Sequence, residues 1–158
     1  MANGAPGRWE EWEGRRRAQQ QWEALRSEKM ERLLKELGQG AHLYKVKSST
    51  KLLQRQFFLD TKNMVLYYKG SRRKGRNTDI SISKIREVRE GEKDFSKKLN
   101  GVDKRMCFGL VLGGSHKVMY LMASRQEVRD MWVRGLRYAV QMDHLAEQRN
   151  EVDKYPFE

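Results

Sequence analysis

Seven short strand-like runs, followed by one capped amphipathic helix, constrain this chain more than any other feature. The runs fall at residues 43–47, 54–60, 64–69, 79–82, 84–89, 105–112 and 117–122, spaced by turn residues. Asp60-Thr-Lys-Asn63 and Gly113-Gly114-Ser115 fit hairpin turns. Many short strands at this spacing predict an antiparallel sandwich or barrel. Ser124 and Glu127 have the spacing of a capping box. Val128, Met131, Trp132, Leu136 and Ala139 then follow on one helical face that closes near Met142. Such a helix can plug the open end of a small barrel. Between the fifth and sixth runs, GEKDFSKKLNGVDK is polar. Phe95 and Leu99 within it are four apart and predict a helical turn or two in a long loop.

Residues 8–37 predict a further helix, free of proline and rich in Glu, Arg, Gln and Leu. Its apolar stripe is short (Leu25, Met30, Leu33, Leu34 and Leu37), and sustained heptads are missing, so a coiled coil is not expected. Trp9, Trp12 and Trp22, beside Arg15, Arg16 and Arg17, raise the alternative of an interfacial helix. The preferred expectation is a solvated leader whose C-terminal end rests on the domain. Gly38 and Gly40 close it. The expected organisation is a charged helical leader over 1–40, one domain over 41–142, and a polar tail over 143–158 in which Pro156 opposes a helix reaching the terminus.

Charge singles out one segment. The net charge is +12, of which residues 1–40 carry +1, residues 41–105 carry +11 and residues 106–158 carry none. From Ala41 to Thr78 there are ten Lys or Arg residues and one acid, Asp60. Like charges at that density either meet an anionic partner or repel one another at a cost in stability. On an antiparallel hairpin Lys45 and Lys47 share a face by the period of two, and Arg55 on the returning strand can join them. Lys51 closes the first basic loop. A second loop, Lys69 to Arg76, adds Ser71, Arg72, Arg73, Lys74 and Arg76. Cationic donors converging from two loops, with hydroxyls and loop amides for the remaining oxygens, suit a polyphosphate. The same charge also fits a solvated basic face or a nucleic-acid surface. The nucleic-acid alternative is disfavoured because Phe57, Phe58, Tyr67 and Tyr68 lie in strands, where at least half must serve the core rather than stack on bases.

Other classes are expected to be absent. Cys107 is the single cysteine, so no internal disulfide framework forms, and its neighbours Met106 and Phe108 place it in a core strand. No apolar run is long enough to span a bilayer, Ala2 occupies the position where myristoylation requires glycine, and KYPFE offers no prenylation site. Any membrane contact is therefore expected to be peripheral. His42, His116 and His144 are scattered, and no nucleophile–base, paired-acid or metal-ligand pattern occurs. Neither a cofactor nor catalysis is expected within these residues.

The strand–basic loop–strand order ending in a helix with a central Trp132 resembles a pleckstrin homology (PH) domain. In particular it resembles the N-terminal PH domain of the delta and eta phosphoinositide-specific phospholipases C. LYKVKSSTKLLQRQFFLD is similar to that family's first hairpin, and SISKIREVREG to its fifth-strand segment. CFGLVL, YLMA and MWVRGLRYAV extend the likeness over residues 41–142. The resemblance implies a mainly β fold. That fold is a seven-stranded, antiparallel, partly open barrel capped by the C-terminal helix and preceded here by an N-terminal helix. It also implies binding of phosphatidylinositol 4,5-bisphosphate or soluble inositol trisphosphate, and peripheral attachment to the cytosolic face of the plasma membrane. Lys45, Lys47 and Arg55 match the family's first-hairpin phosphate ligands, and Ser71, Arg72 and Arg73 its ligand set in the next loop. Lys51 replaces a tryptophan of the delta class while keeping a cation at the pocket, and Val118 replaces a headgroup-contacting threonine. A protein-interaction module or a non-specific anionic-surface binder is the alternative, and the chain is compatible with a fragment of a larger phospholipase.

Overall fold

The computed structural model of the protein describes residues 7–48, 50–69, 79–90, 101–114 and 117–154. The side chains of Trp22, Leu25, Arg26 and residues 149–154 fall outside that description, as do Phe95 and Leu99 with their expected helical turn. Helix α1 spans Arg8–Gly38. Seven strands follow: β1 Ala41–Ser48, β2 Lys51–Asp60, β3 Val65–Lys69, β4 Asp79–Ser81, β5 Ile85–Arg89, β6 Cys107–Leu112 and β7 Val118–Met122. Helix α2, Gln126–Lys154, comes last. All seven strand-like runs of the sequence are strands, within about two to three residues at their ends.

The strands form one antiparallel sheet in the order β4-β3-β2-β1-β7-β6-β5. At the first tight turn after β2, Asp60 Oδ1 accepts from the backbone N–H groups of Lys62 and Asn63 at 3.0 and 3.1 Å. The Asn63 amide donates to Asp60 Oδ2 at 2.8 Å. These hydrogen bonds, led by the one from the Asn63 side chain, hold the Asp60 carboxyl below its ordinary range. Met64 adopts a positive φ of 52° to complete the turn, so β3 starts one residue later than the apolar run suggests.

One core joins the sheet to both helices. Leu43, Phe57, Leu66, Phe108, Leu110 and Leu121 pack beneath Trp132, Val133, Leu136 and Ala139 of α2. Trp132 is 1% exposed and fills the position expected of a plug. Arg137 ties α2 to the end of β5, donating to the Val88 carbonyl from Nε at 3.3 Å and from Nη2 at 3.0 Å, and to Glu90 Oε1 at 3.0 Å.

Leu34 and Leu37 of α1 belong to the core, so the C-terminal end of this helix rests on the domain as expected. Helix α2 starts at Gln126, with Arg129 N–H donating to the Arg125 carbonyl at 3.1 Å, and it runs past Met142, where its apolar face closes, to Lys154. Part of it runs beside α1. Glu23 and Ser27 line a shallow hollow with Tyr138, Gln141, Met142 and Leu145. The pairing needs Gly135, where an added Cβ would overlap the Leu37 side chain. Gly135→Ala gains roughly 1 kcal/mol of helix propensity, but overpacking Leu37 costs about 1–3 kcal/mol. Its melting temperature is expected to fall. A rise of the size that propensity alone gives would show that Leu37 does not pack there.

Candidate anion-binding site

Register places the basic residues of the first hairpin. Ala41, Leu43 and Lys45 pair with Phe57, Arg55 and Leu53, and directly paired residues share a face of the sheet. Lys45 and Arg55 are therefore diagonal neighbours on the face that carries the buried Leu43 and Phe57, one pleat nearer the turn. Ser48 pairs with Lys51, which brings Lys51 to the same edge. A bulge between Val46 and Ser48 interrupts the alternation at Lys47. The simple period of two that would put Lys47 beside Lys45 does not apply there.

The charged heads have different neighbours. Lys45 Nζ donates to the Tyr68 hydroxyl at 3.3 Å and lies 4.8 Å from the centre of that ring. Arg55 sits opposite the fully buried Leu43, and its guanidinium leaves the core to donate to the Gln54 carbonyl at 2.8 Å. There it lines a hollow of about 260 Å³ with His42, Gln54, Gln56 and Lys69. Ser48 and Thr50 hydroxyls are 3.3 Å apart at the turn. Phe57 and Tyr68 meet on the inner face with ring centres 5.1 Å apart, while Phe58 and Tyr67 stack at 5.0 Å on the other face. Half of this aromatic set thus serves the core, as the strand pattern requires.

Ser71, Arg72 and Arg73 lie outside the described residues. The strands around them are described, and they set where that connection begins and ends. Lys69 pairs with Gln56 and Tyr67 with Asp79, so the chain leaves and re-enters the sheet on the side of the 48–51 turn.

A third basic group on that edge was not singled out from the sequence. Gly113 N–H donates to the Lys84 carbonyl at 2.7 Å, and a Cβ on Gly113 would lie 3.5 Å from Arg86. The Lys117 carbonyl accepts from Leu112 N–H at 3.1 Å. Lys84 and Arg86 are near neighbours in the chain and Lys117 is distant from both, and the β5–β6–β7 pairing brings the three positions to one edge. Val118 is partly buried against Val46, Cys107 and Tyr120, so the position expected to depart from the family's hydroxyl is part of an apolar cluster.

Cys107 is fully buried in the same cluster, and burial pushes its thiol up to about 11. At neutral pH it stays protonated and inert toward alkylation. The folded state holds the thiol proton to higher pH than the unfolded chain, so this group's contribution is lost as pH rises from about 9 towards 11. Iodoacetamide at pH 8 is expected to leave the native protein unlabelled and to label it in denaturant. Rapid native labelling would contradict the buried placement. Among the described residues no cluster of three or more His, Cys, Asp or Glu could hold a metal ion. No described helix is long and apolar enough to cross a membrane.

A sheet of this topology, capped by α2 and presenting basic turns along one edge, defines a PH-type binding module. The PH domain family model matches residues 28–141, and the chain belongs to that family. It is 29% identical over 106 residues to mouse (Mus musculus) inactive phospholipase C-like protein 2, covering 65% of this chain and 9% of that protein. Human (Homo sapiens) 1-phosphatidylinositol 4,5-bisphosphate phosphodiesterase eta-1 is 30% identical over 138 residues, covering 83% of this chain and 8% of that enzyme. The chain thus spans about a tenth of the length of these relatives. Inner Membrane Complex Sub-compartment Protein 1 of Toxoplasma gondii superposes with a TM-score of 0.60 at 18% identity, over 71% of this chain and 90% of that one. PLC21 of S. officinalis superposes with a TM-score of 0.52 at 18% identity, over 66% of this chain and 15% of that one. Both share the fold.

Proposed function

We propose that this PH domain docks on the cytosolic face of the plasma membrane by gripping a phosphorylated inositol headgroup. Phosphatidylinositol 4,5-bisphosphate and the corresponding soluble inositol trisphosphate are the ligands the reading names. Lys45, Lys51 and Arg55 form one wall, Lys47 flanks it at the bulge, and Ser71, Arg72 and Arg73 supply the second from the neighbouring connection. The observation that carries the reading is the hairpin register, which sets the backbone positions of Lys45 and Arg55 diagonally to each other near the 48–51 turn, in the segment holding nearly all the excess charge. The bond from Arg55 to the Gln54 carbonyl is exposed and that from Lys45 to Tyr68 is half-buried, and both can be exchanged for charge-assisted bonds to phosphate. The relatives named as phosphodiesterases of this lipid support the choice of headgroup.

The test is sedimentation with vesicles that contain or lack the 4,5-bisphosphate lipid, competed by soluble inositol trisphosphate. Binding that the lipid strengthens, by an increment the soluble headgroup displaces, is expected. Equal sedimentation with vesicles carrying matched charge as phosphatidylserine, unaffected by the competitor, would sink the reading.

A further inference from the structure

The N-terminal turns of α1 contribute no residue to the described core or to the proposed site. Trp9 and Trp12 are 63% and 60% exposed, on a continuous helix whose opposite end is locked into the core through Leu34 and Leu37. The two indoles therefore project from a fixed arm. With about 100° between successive residues, Trp9, Trp12 and Arg16 share one narrow face. Arg16 lies over the Trp12 ring, 5.4 Å from its centre. Arg8 and Arg15 border that face on one side, where they line shallow hollows with Trp9 and Trp12, and Glu13 borders it on the other. Glu11 lines the hollow of Arg8, Trp9, Trp12 and Arg15 as well, while Glu10 falls towards the back of the helix.

We infer that this face is a second membrane-contacting element, one that seats Trp9 and Trp12 in the headgroup layer of an anionic bilayer. Two features favour a bilayer over a helical partner. Indoles gain most where one edge is apolar and the other wet, which is the condition of the headgroup layer. The flanking guanidinium groups are complementary to anionic lipid phosphates and carboxylates, whereas the wider helix has too few apolar residues for a coiled-coil seam. The contact is independent of the inositol site, lying on a different element and needing no phosphoinositide.

The test uses the full chain and vesicles of phosphatidylcholine with phosphatidylserine but no phosphoinositide. Trp9→Ala/Trp12→Ala is expected to lower partitioning at least about tenfold, given the area two half-inserted indoles remove from water. Soluble inositol trisphosphate binding and the melting temperature should be unchanged, because both side chains are exposed. Lys45→Ala/Arg55→Ala should retain this partitioning, which separates failure of the arm from failure of the inositol site. Lipids brominated near the headgroup should quench fluorescence in the native protein and less in the double tryptophan variant. Equal partitioning of native and double-variant protein would overturn the inference. So would equal affinity for purely neutral phosphatidylcholine, or self-association in solution that the double variant abolishes.

Discussion

Trp132→Ala is expected to destabilise the protein by about 3–5 kcal/mol, the range for truncating a large buried aromatic. Trp132 is among the largest fully buried side chains and sits on the face of α2 that covers Phe57, Phe108 and Leu121. The neighbours cannot collapse easily into the space. Strands β1, β6 and β7 are fixed by ladder hydrogen bonds, and α2 is pinned by Arg137 on the Val88 carbonyl and by Gly135 against Leu37. A residual cavity is the result, and its cost adds to the lost transfer energy. Denaturant unfolding measures it directly, with Met142→Ala on the exposed part of the same helix as control. A midpoint unchanged by Trp132→Ala would mean that α2 does not close the barrel.

The second large effect concerns binding. Lys47→Ala, Arg55→Ala and Arg73→Ala are each expected to cost roughly 1.5–3 kcal/mol of headgroup affinity, the worth of a charge-assisted hydrogen bond. Arg89→Ala is the control. It removes a charge of the same sign from β5, where Arg89 Nε already meets Glu87 Oε2 at 3.2 Å. A diffuse basic field predicts something different, with every substitution weakening membrane binding by roughly 1 kcal/mol. Raising salt would then erase the affinity, since screening shortens from about 8 Å at 0.15 M to about 3 Å at 1 M. Equal losses at all four positions, without competition by soluble inositol trisphosphate, would leave only a sticky surface. Loss confined to Arg55 and Lys47 would limit the site to the first hairpin and remove Arg73 from it.

Both experiments probe expectations that were partly legible in the chain itself. The seven strands and the α2 face could be read because local period follows burial: one face inward every second residue in a strand, every three or four in a helix. The Asp60–Asn63 turn could be read because its side chains close their own hydrogen bonds with the adjacent backbone. Lys45 and Arg55 on one face followed from the same alternation once the hairpin was assumed. All of these depend on neighbours close in sequence or on one pairing between adjacent strands.

What failed locally depended on contacts between distant segments. The end of α2 could not be placed from its apolar face, which closes near Met142 while the helix runs on to Lys154, in part beside α1. Which partner the end of α1 meets was also set at a distance, since Leu37 packs against a glycine about a hundred positions later. The bulge at Lys47 arises from how β1 meets β2, and composition carries no mark of it. Lys84, Arg86 and Lys117 share an edge only because β5, β6 and β7 pair. The sequence by itself determined which residues are apolar, where the chain turns and which segment concentrates positive charge, since each is a property of neighbours along the backbone. The tertiary structure alone decided which of those charges face together and which helix ends are core. Both depend on inter-strand register and helix–helix packing between residues the chain holds far apart.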